Sequence, residues 1–248
     1  MRVAVAGGTG RIGQLTIEAL ERAGHEAVAI SRSRGQDLST GAGLDEALRG
    51  VDAVIDVSNT PAQEEADIVE FFSTATRHLL EAEVRAGVRH HVLLSIVRLD
   101  DNHTVPHYAG KRAQEALVAD GPVPWSIVRA TQFHDFPAMT AEWVEQDGVA
   151  TVAPLLLQPI APADVAAVLA ETAVDAAVRD RLDIAGPHTE DLVDMARRTF
   201  AARGKQVRLV PTWHGLFDTS LAGDALLPGD GVRLTPTAFD EWLAAGAA

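Results

Sequence analysis

The sequence predicts a doubly wound α/β fold, a parallel sheet with helices on both faces and a small C-terminal lobe. Three observations carry that prediction. Short apolar runs alternate with amphipathic stretches up to about residue 130. The connections between the runs are long enough for the crossovers that parallel strands require. Glycines also crowd the junction between the first apolar run and the first amphipathic stretch.

The first strand is Val3 to Ala6, and Gly7, Gly8, Gly10 and Gly13 occupy the turn into a helix over Arg11 to Ala23. Gly24 ends that helix, and Glu26 to Ile30 reads as a second strand with an apolar centre. Gly35 to Leu38 reads as a third strand, short and polar, followed by a helical stretch at Leu44 to Arg49 and a buried strand at Val51 to Val57. A longer helix is expected over Ala62 to Ala86, because Ile68, Phe71, Phe72, Leu79 and Leu80 are spaced for one face and Gly87 closes it. His91 to Ser95 is strand, Pro106 to Ala119 helix and Trp125 to Arg129 strand.

Beyond about residue 130 the elements shorten: Val149 to Ala153, a helix at Ala163 to Ala176, a strand at Leu182 to Ala185, a helix at Glu190 to Ala202, a strand at Val207 to Val210 and a last helix near Ala238 to Ala244. They are expected to form a small substrate lobe over the carboxyl ends of the strands, where open α/β sheets bind ligands. Residues 1–248 would then be a single domain, with roughly 130–248 contributing the lobe. The alanine-rich end, Ala244 to Ala248, is expected to fray.

Composition excludes several classes of function. Lys and Arg number 21 against 35 Asp and Glu, a net charge of −14 that repels nucleic acid and anionic membranes. A hydrophobic fraction of 47% with 23% charged residues is ordinary for a globule. The absence of cysteine removes disulfides, thiolate metal sites and cysteine nucleophiles. The most apolar segment, Val149 to Ala170, is interrupted by Pro154, Pro159, Pro162, Gln158 and Asp164, so no membrane span is expected. The first strand begins almost at once, which gives the expectation of a cytoplasmic protein without a targeting peptide.

The glycine turn is the first site. Gly8-x-Gly10-x-x-Gly13 matches the dinucleotide fingerprint, and Gly7-x-x-Gly10-x-x-Gly13 is a second register within the same turn. Glycine lets the backbone approach a pyrophosphate, and the helix start offers N–H groups and a positive dipole end to it. The tip after the second strand reads Ser31-Arg32-Ser33-Arg34, with no carboxylate for an NAD ribose. A guanidinium there can hold a 2′-phosphate, so Arg32 argues for NADP over NAD, with Arg34 the bystander. Asp37, followed by Leu38, stands where an adenine amino group could be met, and a simple turn aspartate is the other reading. Ser58, after the strand ending at Val57, either lets the cofactor pass or caps the helix that follows.

The second site is Val105-Pro-His-Tyr-Ala-Gly-Lys111. Pro106 suits the first turn of a helix, and both Tyr108/Lys111 and His107/Lys111 have spacings that share a face. An ammonium beside a phenol stabilises phenolate and makes tyrosine a usable acid or base. Ser95 ends a strand in the same layer. Other chemistries find no support. There is no Gly-x-Ser-x-Gly elbow and no His-Glu-x-x-His motif, and His90 and His91 point to opposite faces of a strand, so no metal is expected. His134 and Asp135 either reach the pocket or are structural, the four tryptophans are assigned to packing, and Asp164 reads as a first-turn carboxylate complementing a helix dipole.

The assembled pattern, GGTGRIG at the start, Ser95, the Tyr108-to-Lys111 helix, Arg129-Ala-Thr-Gln-Phe-His-Asp-Phe136, Ala163-Asp-Val-Ala166 and Ala185-Gly-Pro187, resembles an atypical short-chain dehydrogenase/reductase of the NmrA-like group over nearly the whole chain. The resemblance implies an NAD(P)-binding Rossmann fold in which Gly7, Thr9, Gly10, Arg11, Ile12 and Gly13 cradle the pyrophosphate. It also implies that Lys111 touches the nicotinamide ribose and that Thr131, Gln132 and Phe133 flank the nicotinamide. One departure stands out. The Tyr-x-x-x-Lys register of the family puts His107 opposite Lys111, and Tyr108 is offset by about 100° around the helix.

Two functions follow. One is an NADPH-dependent reductase of a carbonyl, quinone or similar small acceptor, with Tyr108 or His107 supplying the proton and Ser95 orienting the acceptor. The other is a non-catalytic NADP(H)-sensing protein that acts through a protein partner. Substrate identity and oligomeric state leave no mark in the sequence.

Overall fold

β1 (Arg2–Ala6) is buried at every residue after Arg2, which is what a strand in the middle of a two-faced sheet requires. In the computed structural model, which describes residues 1–246, this strand opens the first of two units. That unit holds Met1–Arg129 and Val165–Leu182, and the second holds Ala130–Asp164 and the chain from Asp183 onward. The alanine-rich end expected to fray reaches Ala247 and Ala248, which lie outside the described residues.

After β1 the chain runs through α1 (Arg11–Arg22), β2 (Glu26–Ile30), α2 (Leu44–Ala47), β3 (Ala53–Asp56), α3 (Glu65–Ala86), β4 (His90–Ile96), α4 (Pro106–Asp120) and β5 (Trp125–Ala130). It continues through α5 (Phe136–Val144), β6 (Val149–Val152), β7 (Leu156–Leu157), α6 (Pro162–Val174), β8 (Arg181–Ala185), β9 (Glu190–Asp191), α7 (Leu192–Ala202), β10 (Arg208–Pro211), β11 (Arg233–Leu234) and α8 (Phe239–Ala244).

In the first unit β1 pairs in parallel with β2 and β3, and β3 pairs in parallel with β4. The strand order is β2-β1-β3-β4-β5-β8, the reversal of direction at β1 that defines a doubly wound sheet. Its core includes Ala4, Ile30, Leu44, Leu48, Val54 and Leu79 on one side of the sheet and Leu93, Val118, Trp125 and Ile127 in a second cluster. α4 packs closely on α3 at Gly110, where a Cβ would meet Ile68 Cγ2 and Phe72 Cδ2, each at 2.6 Å. The alternation along β4 sends its histidines to opposite faces. His90 Nε2 lies 2.9 Å from Ser126 Oγ, and His91 Nδ1 lies 2.8 Å from Glu83 Oε1.

In the second unit β6 pairs in parallel with β10, β7 pairs antiparallel with β9, and β11 pairs in parallel with Ile184 and Ala185 of β8. Ala161, Met195, Phe239 and Trp242 form its core.

Four expectations are corrected. Gly35 to Leu38 is not a strand: Arg32–Arg34 forms a short 3-10 turn, Gly35 closes it at φ +91°, and Asp37 makes one isolated bridge to Ala42. Glycines with positive φ at positions 35, 41 and 43 keep this stretch from extending. α3 begins at Glu65 rather than Ala62, because the Asn59 and Thr60 side chains accept from the backbone N–H groups of Thr60 and Ala62 and compete with the helix. α5 was not expected at all. It is apolar on most sides, and Trp143 on its surface is 61% exposed rather than packed, whereas Trp125 and Trp242 are buried. Glu190 and Asp191 form β9, and Asp191 caps α7 by accepting from the Asp194 N–H. Among the described residues no helix is long and apolar enough to cross a membrane.

Candidate functional site

The turn after β1 is shaped by its own packing before any ligand is considered. The N–H groups of Gly7 and Gly8 both donate to the last carbonyl of β2, at Ile30. Gly7 has φ +80°, and a Cβ on it would stand 2.9 Å from the Val57 carbonyl oxygen. On Gly8 it would stand 2.8 Å from the Val5 oxygen, and on Gly13 2.3 Å from the Gly7 oxygen. These distances lie far inside contact, so all three glycines are required by the fold. Gly10 differs, since a Cβ there meets nothing closer than the Gly7 oxygen at 3.2 Å. Gly10 is also the N-cap of α1 and has no side chain to bond the first turn, where the N–H groups of Ile12 and Gly13 have no intrahelical acceptor. Thr9 and Arg11 beside it are exposed. The open side of the turn thus presents N–H groups at the positive end of a helix, a geometry suited to an anion.

Arg32 and Arg34 follow β2 on the 3-10 turn, exposed, and neither forms an ion pair with a described residue. Asp37 closes its own turn, its Oδ1 accepting from the Ser39 N–H at 2.8 Å. Leu38 is half-buried against the core, and its carbonyl oxygen lies 2.9 Å from His78 Nδ1. Ser58 does not cap α3, which starts seven residues later. Its N–H donates to Asp56 Oδ1 at 2.8 Å, while its buried hydroxyl has no hydrogen-bond partner.

The start of α4 gathers the charged groups. Pro106 takes the first helical position, and Asn102 Oδ1 accepts from the N–H groups of Thr104 and Val105 just before it. Lys111 is 5% exposed. Its ammonium donates to Gln114 Oε1, and Gln114 Nε2 donates to Asp56 Oδ2 at 2.8 Å. Lys111 Nζ also lies 4.9 Å from the centre of the Phe72 ring, which His107 meets edge-on at 5.4 Å. Burial pushes the lysine down to about 8, with Asp56 and Glu115 pulling the other way. Burial and the neighbouring ammonium push His107 down to about 4. With its basicity lowered, His107 still carries one ring N–H to offer as a donor beside Lys111. Tyr108 is 7% exposed.

On the next turn Glu115 accepts from Arg129 Nε at 2.8 Å and Nη2 at 2.7 Å and from Arg181 Nε at 3.0 Å. Burial alone would raise Glu115, and these guanidinium bonds hold it below the usual carboxylate range. Ser95 is 3% exposed and lies beside this carboxylate without a hydrogen bond of regular geometry. Asp56, Phe72, Gly110, Gln114 and Glu115 escaped sequence reasoning. The available signals were a polar residue ending an apolar strand and a glutamine three positions after Lys111.

In the second unit Thr131 Oγ1 donates to the Gln158 carbonyl at 2.6 Å, and Phe133 bridges Ile160. Gln132 keeps a buried Oε1 with no hydrogen-bond partner. His134 is taken up by packing, with Nε2 3.1 Å from the Thr237 carbonyl and its ring 5.5 Å from both Phe239 and Trp242. Asp164 stands in the first turn of α6 and accepts from the N–H and hydroxyl of Thr237.

The family profile described as NAD(P)H-binding matches residues 7–176, from the glycine turn past α6. The chain belongs to the NAD(P)H-binding family. A (4-alkanoyl-5-oxo-2,5-dihydrofuran-3-yl)methyl phosphate reductase of Streptomyces griseus is 31% identical over 183 residues, covering 67% of this chain and 61% of that protein. A photosystem II assembly factor of Synechocystis is 28% identical over 147 residues, covering 54% of this chain and 45% of that protein. The matched region thus spans about three fifths and under half of these curated relatives. An NADPH-dependent quinone oxidoreductase of Escherichia coli shares the fold, with a TM-score of 0.69 at 18% identity over 99% of this chain and 100% of that one.

Proposed function

We propose that this NAD(P)H-binding protein is a reductase that uses NADPH to reduce a carbonyl, quinone or similar small acceptor. The observation that carries the reading is the pairing, within one unit, of an anion-receptive turn at Gly10 with a buried lysine at the start of α4. A bound nicotinamide dinucleotide supplies a hydride, and the chain's residues bind, orient and handle the proton. Thr9, Gly10, Arg11, Ile12 and Gly13 receive the pyrophosphate, with Gly7 fixing the turn. Arg32, an exposed guanidinium with no carboxylate partner among the described residues, takes the 2′-phosphate and selects NADPH over NADH. The unsatisfied hydroxyl of Ser58 fits a polar cofactor, and Gln132 is assigned to the nicotinamide by the family resemblance alone. Thr131 and Phe133 flank the same ring by the family resemblance, and Asp37 offers its remaining oxygen to the adenine.

Lys111 has three donors and Gln114 takes one, leaving donors for ribose hydroxyls. Proton delivery falls to Tyr108 or His107, with the Lys111 ammonium beside them, and Ser95 stays a buried neighbour of the helix. The second unit acts as the substrate lobe, which fits its exposed apolar side chains Met139, Trp143 and Leu216. The test is NADPH oxidation by the purified chain across aldehydes, ketones and quinones. Sustained turnover that Lys111→Ala abolishes supports the reductase.

The burial of Tyr108 and its offset from the family's register favour a second reading, a nucleotide sensor acting through a protein partner, and one curated relative is an assembly factor. Tight NADPH binding without turnover on the same panel selects it.

A further inference from the structure

Lys111 is an exception in this chain. Of 21 basic residues only two are lysines, Lys111 and Lys205, and the rest are arginines. Lys205 lies near the surface, where Glu142 and Glu145 accept from it. Lys111 is buried, in a place where a guanidinium could never lose its proton and an amine can.

Its surroundings are built in a particular order. Asp56, 1% exposed, ends β3, and one of its oxygens is held by the Ser58 N–H. The other accepts from Gln114, which is fully buried and turns its amide oxygen to the Lys111 ammonium. Only this orientation of the amide satisfies both neighbours, because a carboxylate cannot donate and an ammonium cannot accept. The glutamine therefore stands between the two charges as an uncharged spacer. It passes on the pull of the carboxylate and offers the lysine no site that would take its proton.

We propose that Gln114 and Asp56 are positioning residues for Lys111, fixing its ammonium against Phe72 at the candidate cofactor site and setting the range over which that lysine gains and loses its proton. This rests on the reading of Lys111 as a nicotinamide-ribose contact. The charged or titratable groups facing the lysine are Asp56 from β3, His91 from β4, and His107 and Glu115 from α4 itself, while α3 contributes the apolar Phe72. The two carboxylates favour the ammonium, and burial opposes it. A carboxylate at position 114 also stands against Asp56, so the two share a proton, and the charge that remains lies directly beside the ammonium and should hold it. Removing the charge of Asp56 should free the proton earlier.

The scarcity of lysine makes the test direct. Protein labelled with 13C,15N-lysine gives two side-chain signals, and Lys205→Arg assigns them. The Lys111 signal of the parent chain is expected to titrate near pH 8 and that of Lys205 well above it. In Asp56→Asn and Gln114→Met the Lys111 midpoint should move to lower pH, and in Gln114→Glu, which keeps the side-chain volume if Asp56→Asn fails to fold, it should move up. NADPH affinity at pH 7 should fall roughly tenfold in Gln114→Met, as expected for one lost hydrogen bond to a charge. A Lys111 midpoint unchanged in all folded variants overturns the proposal, whether or not NADPH binds. If the midpoint moves as stated and NADPH leaves the Lys111 signal untouched, the positioning roles stand at the lysine, and its placement at the cofactor is what fails.

Discussion

The glycine turn after β1 and the start of α4 are both candidate ligand sites, and they are specified in opposite ways. In the turn, three glycines are demanded by backbone atoms a few residues away or on the next strand, such as the Gly7 oxygen 2.3 Å from a Cβ on Gly13. Its shape is set by what cannot fit. At α4 nothing is sterically forced at Lys111 itself. A charge is buried at a cost, and groups from β3, α3 and the same helix offset part of it. The comparison separates a site whose geometry is inherited from packing from one whose chemistry is held under electrostatic tension.

Four experiments can break or sharpen that contrast. The largest effect is expected at Glu115, the one carboxylate that Arg129 and Arg181 share. Glu115→Gln should cost about 3–5 kcal/mol in urea unfolding, because Arg181 loses its carboxylate and Arg129 keeps only the exposed Asp100. Its carboxyl is depressed in the folded chain, so its contribution is present above the unfolded value and is lost as pH falls through the folded one; the mutant should show a flatter acid limb.

Lys111→Met should act in the other direction, stabilising the chain by up to about 3 kcal/mol at pH 7 while weakening NADPH binding. Below about pH 8 the lysine is charged in both states, so the burial cost is present in full. It is relieved as pH rises from about 8 toward the unfolded value, and stability attributable to this group should climb over that window in the parent chain and stay level in the mutant. A mutant less stable than the parent would contradict the view of this site as strained.

Gly13→Ala should cost about 1–3 kcal/mol through overpacking, whereas Gly10→Ala should change stability by less than about 1 kcal/mol and still reduce NADPH affinity. Equal losses of stability in the two would erase the distinction between them. The smallest effect is expected from Arg32→Ala, which should reduce the ratio of NADPH to NADH affinity about tenfold with no change in unfolding midpoint. An unchanged ratio removes Arg32 from the 2′-phosphate.

The same contrast explains what could be read from the chain. β1, β2, α1 and α4 fall within about two residues of their expected bounds, because apolar period and glycine or proline punctuation are local signals. Gly35 to Leu38 misled, since three nearby glycines with positive φ outweigh a short apolar and polar alternation. α5 was hidden by its near-uniform apolar surface, which has no period to detect. Within the candidate site, Lys111 stood out because Pro106 marks the start of its helix. Asp56 did not, because it reaches Lys111 through a glutamine 58 positions away, and a single sequence contains no term for that distance. His134, which the sequence leaves between a pocket role and a structural one, packs on Phe239 and Trp242.

The division of the chain has a consequence for its biogenesis. The first unit is assembled from Met1–Arg129 and Val165–Leu182, so the chain leaves it and returns before it is finished. A nascent polypeptide that has emerged only to Arg129 lacks α6 and the first residues of β8, and the outer edge of β5 has no strand beside it. Cotranslational folding of this unit must wait for some fifty further residues, with an unpaired strand edge exposed in the interval. That interval is when a ribosome-bound chaperone has most to protect.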